Sequence, residues 1–247
     1  MNIGLYQSAA SLSALERWQE AVAQNITSSQ IPGFRKRTVE FTSVDLGHLQ
    51  IDPKGKGQEG APAAFPSTTL GVSFYPGETT PTRRELDVAI SGDGFFEVQQ
   101  PDGSRAYTRA GQFHINSERT IVTQDNMPVL SSAGTPIVLQ PTGEPLAIAP
   151  DGALTQGDRQ LGKLSVVHFA DNQKLLPAGA NMYAAPEGMD AAPVERPSVL
   201  QGYIEASNVT PLREMISLVQ IARAYEANQK IITSRDQNLQ KAIEALG

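Results

Sequence analysis

The sequence predicts an α+β protein: long N- and C-terminal helices forming a coiled-coil-like domain, plus a central all-β domain. Three observations carry that expectation. Apolar residues recur at alternating three- and four-residue spacing at both ends of the chain, the period of a helix face that packs on a partner. Between the ends the period falls towards two, in short runs rich in Val, Ile, Phe and Tyr. Turn formers, drawn from 21 Gly and 17 Pro, concentrate in that middle stretch and cut it into strand-length pieces.

In chain order, the first 29 residues read as one amphipathic helix. Its seam holds Leu5, Ser8, Leu12, Leu15, Gln19, Val22 and Ile26, and Trp18 widens it. The helix is expected to stop before Ile31-Pro32-Gly33, because proline disfavours helical backbone in the preceding residue and glycine permits a reversal. Residues 47–70, with Pro53, Pro62, Pro66 and several glycines, read as a loose connection. A β domain is expected from about Gly71 to about Glu187. Its clearest hairpin joins Phe95–Gln99 to Arg105–Arg109 through Pro101-Asp102-Gly103-Ser104. Further strands are expected at Leu86–Ile90, Thr120–Thr123, Pro136–Leu139, Leu146–Ala149 and Lys163–Phe169.

Thr210 is a candidate N-cap for the last helix, with Pro211 in the first position, where its missing N–H costs nothing. The seam then runs Met215, Leu218, Ala222, Tyr225, Gln229, Ile232, Asp236, Leu239, Ile243 and Leu246. At 1.5 Å per residue this helix would extend roughly 55 Å. The expected organisation is a terminal helical assembly domain over 1–34 and 208–247, a connecting segment over 35–70 and a central β domain over 71–207.

Charge and composition exclude several classes of function. The net charge is −6, but residues 41–210 carry eleven basic against nineteen acidic groups while both ends are nearly neutral. Nucleic acid would be repelled by that centre. There is no Cys, which removes disulfides, thiolate metal sites and Cys nucleophiles. His48, His114 and His168 are scattered without metal-ligand spacing. Ser91-Gly92-Asp93-Gly94 has neither the phosphate-loop nor the nucleophile-elbow pattern and reads as a tight turn. Asp87, Asp93 and Asp125 have no calcium-loop spacing. No catalytic, cofactor-binding or metal-binding residue is therefore assigned. No stretch approaches the roughly 20 apolar residues of a membrane span, and Met1-Asn2-Ile3-Gly4-Leu5 has no features of a cleaved leader.

A long helix with one apolar stripe takes its stability from packing that stripe. Pairing of the two helices within the chain would satisfy both; pairing with neighbouring subunits as well would build a polymer. Polar breaks at Gln19, Gln229 and Asp236 and the near-neutral ends favour the second reading. The candidate subunit interface is Leu5, Leu12, Leu15, Val22, Ile26, Met215, Leu218, Ala222, Tyr225, Ile232, Leu239, Ile243 and Leu246.

Several segments resemble one family. Asn25-Ile26-Thr27-Ser28-Ser29-Gln30-Ile31-Pro32-Gly33-Phe34-Arg35 is similar to the end of the N-terminal helix of flagellar rod and hook proteins. Leu86-Asp87-Val88-Ala89-Ile90-Ser91-Gly92-Asp93-Gly94-Phe95-Phe96 and Ala106-Tyr107-Thr108-Arg109-Ala110-Gly111 resemble the start of their β domain. Gln201-Gly202-Tyr203-Ile204-Glu205-Ala206-Ser207-Asn208-Val209 resembles the lead-in to their last helix, and Arg223-Ala224-Tyr225-Glu226-Ala227-Asn228-Gln229 sits within it. The resemblance implies a basal-body axial subunit, proximal or distal, with Phe95-Phe96 and Arg223-Ala224-Tyr225-Glu226 leaning to the distal type. It further implies export through the flagellar type III apparatus without a cleaved leader. Helical stacking with other rod and hook proteins follows from it too, with terminal helices inside and the β domain outside. Two alternatives of other classes are a secreted carbohydrate-binding or hydrolysing β domain on a coiled-coil stalk, and a soluble export or capping factor.

Overall fold

The computed structural model describes residues 3–49, 61–141, 143–179 and 181–244, and divides the chain into two compact units.

The first unit comprises Met1–Thr27, Arg37–Val72 and Thr210–Gly247. Helix α1 spans Ile3–Thr27 and helix α2 spans Pro211–Glu244. The start of α2 follows local chemistry: the Thr210 carbonyl accepts from the N–H groups of Arg213 and Glu214, and Pro211 takes a position with no intrahelical donor to lose. Strands β1 (Arg37–Leu49) and β2 (Ala61–Val72) form an antiparallel ribbon, in register from Arg37↔Val72 to Asp45↔Ala64 and shifted between Asp45 and His48. One ribbon face lies on α1. There Trp18 and Phe41 meet edge to face at 5.6 Å, and Arg17 Nη1 lies 3.4 Å from Thr68 Oγ1.

The ribbon corrects the expected fold class. The terminal helices do not make up a coiled-coil-like domain between them, because α1 divides its surface between α2 and two strands. Only a short seam joins the helices: Leu15, Val22 and Ile221 are buried, with Trp18, Ile26, Leu218, Ala224 and Tyr225 partly so. Ala14 and Ala21, buried on α1, lie off that seam. The prolines explain why the sequence read as a loose connection where β2 runs. Pro62 and Pro66 break the usual strand signature, yet proline is tolerated on an edge strand at a position whose N–H points away from the ladder.

The second unit comprises Ser28–Lys36 and Ser73–Val209, and its regular elements among the described residues are short strands apart from one 3-10 turn at Asn172–Lys174. Its six-stranded sheet runs in the order Leu176–Pro177, Met182–Ala184, Arg105–Thr108, Phe95–Gln99, Val166–His168, Ala192–Pro193. The predicted hairpin is present between Phe95–Gln99 and Arg105–Thr108. Asp102 Oδ1 fixes its turn by accepting from the Ser104 N–H and hydroxyl at 2.8 and 2.6 Å, and those bonds hold the Asp102 carboxyl below its ordinary pKa. Phe95 and Phe96 point to opposite faces and both are buried, so this strand is covered on each side. Phe96 packs with Phe113, Val88, Val98, Ile121 and Leu164 in the main core, while Phe95 meets Phe74, Phe169 and Tyr183. Pro136–Leu139 makes only isolated bridges, at Pro136 and Val138, instead of the expected strand.

Candidate functional site

Within the first unit the predicted seam residues fall into separate groups. Leu15 and Val22 are buried, and Leu12, Ile26, Leu218, Tyr225 and Ile232 are half-buried. Met215 is 52% exposed, and Ala222 is exposed. Leu5, Leu239 and Ile243 are helical but their side chains lie outside the description, and Leu246 lies outside the described residues. The α2 stripe that packs within the unit is Glu214, Leu218, Ile221, Tyr225, Asn228 and Ile232. It shares the row at 218, 225 and 232 with the sequence reading, while its other row sits one residue earlier than 215, 222 and 229.

That offset leaves a second stripe on the first half of α2. Leu212, Met215, Ile216 and Val219 are 68, 52, 52 and 54% exposed. They stand at i, i+3, i+4 and i+7, so they share one helix face. No described side chain of the unit covers them.

Two buried polar residues lie on the inner side: Asn25, the first residue of the resembling segment that ends α1, and Glu214, which carries no signal in the sequence. Asn25 is wholly buried in α1. Its Oδ1 accepts from the Arg37 N–H at 2.8 Å, and its Nδ2 donates to the Arg37 carbonyl at 2.9 Å and to Glu214 Oε2 at 3.1 Å. The side-chain amide thus takes the place of a neighbouring strand at one station of β1, and it ties α1, α2 and the ribbon together. Glu214 is 1% exposed in the first turn of α2, where the helix dipole favours a carboxylate.

In the second unit the resembling segments converge on Glu205. Its carboxylate receives Arg35 Nη1 at 2.6 Å, Arg109 Nε at 2.8 Å and the Gly77 N–H at 2.9 Å, with both arginine side chains 3% exposed. Arg109 also donates from Nη1 to the Gly94 carbonyl at 2.7 Å and from Nη2 to the Gly92 carbonyl at 2.8 Å. Arg35 Nη1 donates to the Tyr75 carbonyl at 2.7 Å. Burial lowers the Arg109 pKa, opposed by the facing Glu205 charge. The Glu205 carbonyl accepts from the Gly33 N–H at 2.8 Å. Gly33 has φ of +71°, and a Cβ there would lie 2.3 Å from the Ala110 nitrogen, so only glycine fits beside Pro32 and the buried Phe34.

Asn208 repeats the amide device. Its Oδ1 accepts from the Lys36 N–H at 2.6 Å and its Nδ2 donates to the Ser73 and Tyr75 carbonyls at 2.9 Å each. Ser207 Oγ accepts from the Val209 N–H at 3.2 Å. Asp93 and Glu226 are exposed. A cavity of about 740 Å³ in the same unit is lined by Arg84, Glu85, Leu86, Arg119, Glu144 and Gln156 among others. Two of its polar groups bond to backbone: Arg119 Nη1 donates to the Gln140 carbonyl and Gln156 Nε2 to those of Gln140 and Glu144. Among the described residues, no cluster of three or more His, Cys, Asp or Glu could hold a metal ion, and no helix is long and apolar enough to cross a membrane.

The buried polar groups of this chain hold non-adjacent segments in place, and four large apolar side chains share one exposed face of α2; together they are the features of a structural protein. Residues 89–156 match the family model for the flagellar hook protein FlgE/F/G D1 domain. Residues 200–245 match the model for the flagellar basal body rod FlgEFG protein C-terminal region. The chain is 34% identical to the flagellar basal-body rod protein FlgF of Caulobacter vibrioides, over 100% of this chain and 99% of that protein. It is 33% identical to FlgF of Rhizobium meliloti over 100% and 99%. It is 31% identical to the rod protein FlgG of Buchnera aphidicola subsp. Acyrthosiphon pisum over 96% and 97%. The chain belongs to the flagellar basal-body rod protein family, and its role is that of a structural rod subunit. The carbohydrate-handling alternative has no support in these relatives.

Proposed function

We propose that copies of this chain stack helically through their terminal helices, in contact with other rod and hook proteins, and so carry torque from motor to hook. The observation that carries this reading is the uncovered stripe of Leu212, Met215, Ile216 and Val219 on α2. Four large apolar side chains on one face of a soluble helix mark a protein-binding surface. In this reading the predicted seam divides: Leu15, Val22, Ile26, Leu218 and Tyr225 pack within the unit, while Met215 and Ala222 extend the exposed interface. The motif residues Asn25, Glu205 and Asn208 hold the units that present it. The chain does no catalysis, binds no nucleic acid and passes through the flagellar export apparatus before assembly; the family resemblance and the acidic centre support this part.

The test is incorporation in cells lacking the wild-type copy. Met215→Asp with Val219→Asp places two charges on the exposed stripe without touching the packed seam. The purified variant should melt within about 0.5 kcal/mol of wild type, as surface changes do, yet be absent from isolated basal bodies. Undiminished incorporation would sink the reading.

A further inference from the structure

The ribbon of the first unit has two outer edges, and they differ. On β2, Pro62 and Pro66 have no N–H to offer. Pro66 faces Ser43, and a proline avoids loss of a ladder bond only where its nitrogen points away from the partner strand. Arg37 gives the same parity independently, because Asn25 occupies both its N–H and its carbonyl from outside the ribbon. Since stations alternate in an antiparallel pair, the outward-facing groups of β1 belong to Arg37, Val39, Phe41 and Ser43. Asn25 takes the first. Among the described residues, no backbone group outside the ribbon bonds to the other three. β1 contains no proline, whereas β2 keeps outward N–H groups in sequence only at Thr68, Leu70 and Val72, so the β1 edge is the more open of the two. Sheets in natural proteins normally blunt both.

We propose that the open edge of β1 pairs antiparallel with the same edge of a second copy, centred on Phe41, to join two ribbons into one four-stranded sheet. The occupant follows from the stations. On the β2 edge the prolines remove two outward N–H groups and Arg17 Nη1 takes the Thr68 carbonyl at 3.5 Å, so the β1 edge offers the longer uninterrupted run and its best match is a second β1 edge. Centring on Phe41 sets Phe41 against Phe41 of the second copy and Val39 against its Ser43. All are outward stations, so each pair exchanges both of its backbone hydrogen bonds. The inward stations fall opposite one another as well, with Thr38 against Val44. Phe41 and Val44, the large apolar side chains β1 leaves 52 and 48% exposed, both gain cover. Such a pairing is two-fold and closes on itself, so it belongs to the free subunit and cannot propagate a helical polymer. It goes beyond the structural role proposed above and does not depend on it.

The chain has no cysteine, so Phe41→Cys introduces a single thiol into the full-length protein. Directly opposed residues at such a station are about 5.5 Å apart between Cα atoms, within disulfide reach. Mild oxidation should give a covalent dimer at position 41, and about tenfold less with Glu40→Cys or Thr42→Cys, whose thiols are two residues out of register on the other face. Light scattering should show the wild-type mass rising towards twice that of the subunit. Phe41→Pro, which removes an outward N–H as Pro66 does on the other strand, should stay monomeric, and its melting temperature should fall no further than that of Phe41→Ala, which loses the same contact with Trp18. Three results overturn the pairing: a cross-linking maximum elsewhere, a wild-type chain monomeric at about 1 mM, a concentration at which even weak pairing shows, or self-association undiminished in Phe41→Pro. Met215→Asp/Val219→Asp separates the two readings, because it should keep the dimer while losing incorporation into the rod.

Discussion

Two buried carboxylates in this chain have opposite surroundings, and they set opposite expectations. Glu205 faces two guanidinium groups and a backbone N–H, with every contact at hydrogen-bond distance. Removing its charge strands Arg35 and Arg109 in a low-dielectric interior, so Glu205→Gln should cost the second unit about 3 kcal/mol or more. Asp87 is also wholly buried, but neither of its oxygens has a hydrogen-bond partner, and the Arg84 Nε that pairs with it stands 3.7 Å away on a side chain 58% exposed. Asp87→Asn keeps the shape and loses only a long ion pair to an exposed arginine, so it should be neutral or stabilising. Denaturant unfolding of the two variants side by side checks both. A loss of more than about 1 kcal/mol in Asp87→Asn would mean the carboxylate has a partner that geometry does not reveal. For Arg109 the sign runs the other way from a paired base: its folded pKa is lowered. The unfolded chain therefore holds that proton more tightly, and stability gained from this group rises only at strongly alkaline pH.

Between elements, the two stripes of α2 separate packing within the subunit from packing between subunits. Ile221 is 2% exposed against α1, so Ile221→Ala should destabilise the helix pair by about 2–5 kcal/mol. Met215→Asp lies on the uncovered face and should leave circular dichroism and melting unchanged. Equal melting of the two variants would show that α2 has no preferred inner face. The element scale is also where the sequence was least complete. Leu218, Tyr225 and Ile232 were legible because a seven-residue recurrence survives small errors of phase. Ile221 was lost to a one-residue offset, and Glu214 and Asn228 were lost because they are polar. The ribbon was illegible because Pro62, Pro66 and the glycines near it are loop formers by composition. That Pro66 stands at an outward station depends on a partner strand that a linear reading does not supply. Phe95-Phe96 and the Asp102-Gly103 turn were legible because hairpin chemistry is local. The convergence of Arg35, Arg109 and Glu205 was not, since it joins positions up to 170 residues apart that share only a family resemblance.

For the whole molecule, burial is unevenly shared along the chain, and local stability should follow it. The second unit concentrates the core, with Phe96, Val98, Val88, Ile121 and Val129 all at 0–1% exposure. Along α2, by contrast, buried positions stop at Ile221, and beyond Asn228 only Ile232 is even half-buried among the described side chains. Helix propensity alone holds such a stretch only marginally. Amides that open locally exchange with free energies far below that of global unfolding. Hydrogen exchange on the free subunit should therefore show residues 229–244 exchanging at least about a hundredfold faster than Phe95–Gln99, a difference of about 2.7 kcal/mol in opening free energy. Incorporation into the rod should slow exchange in 229–244, because a neighbouring copy would supply the packing this part of α2 lacks. Protection equal to that of the core in the free subunit would mean that the helix is self-sufficient, and that its far half has no need of a partner.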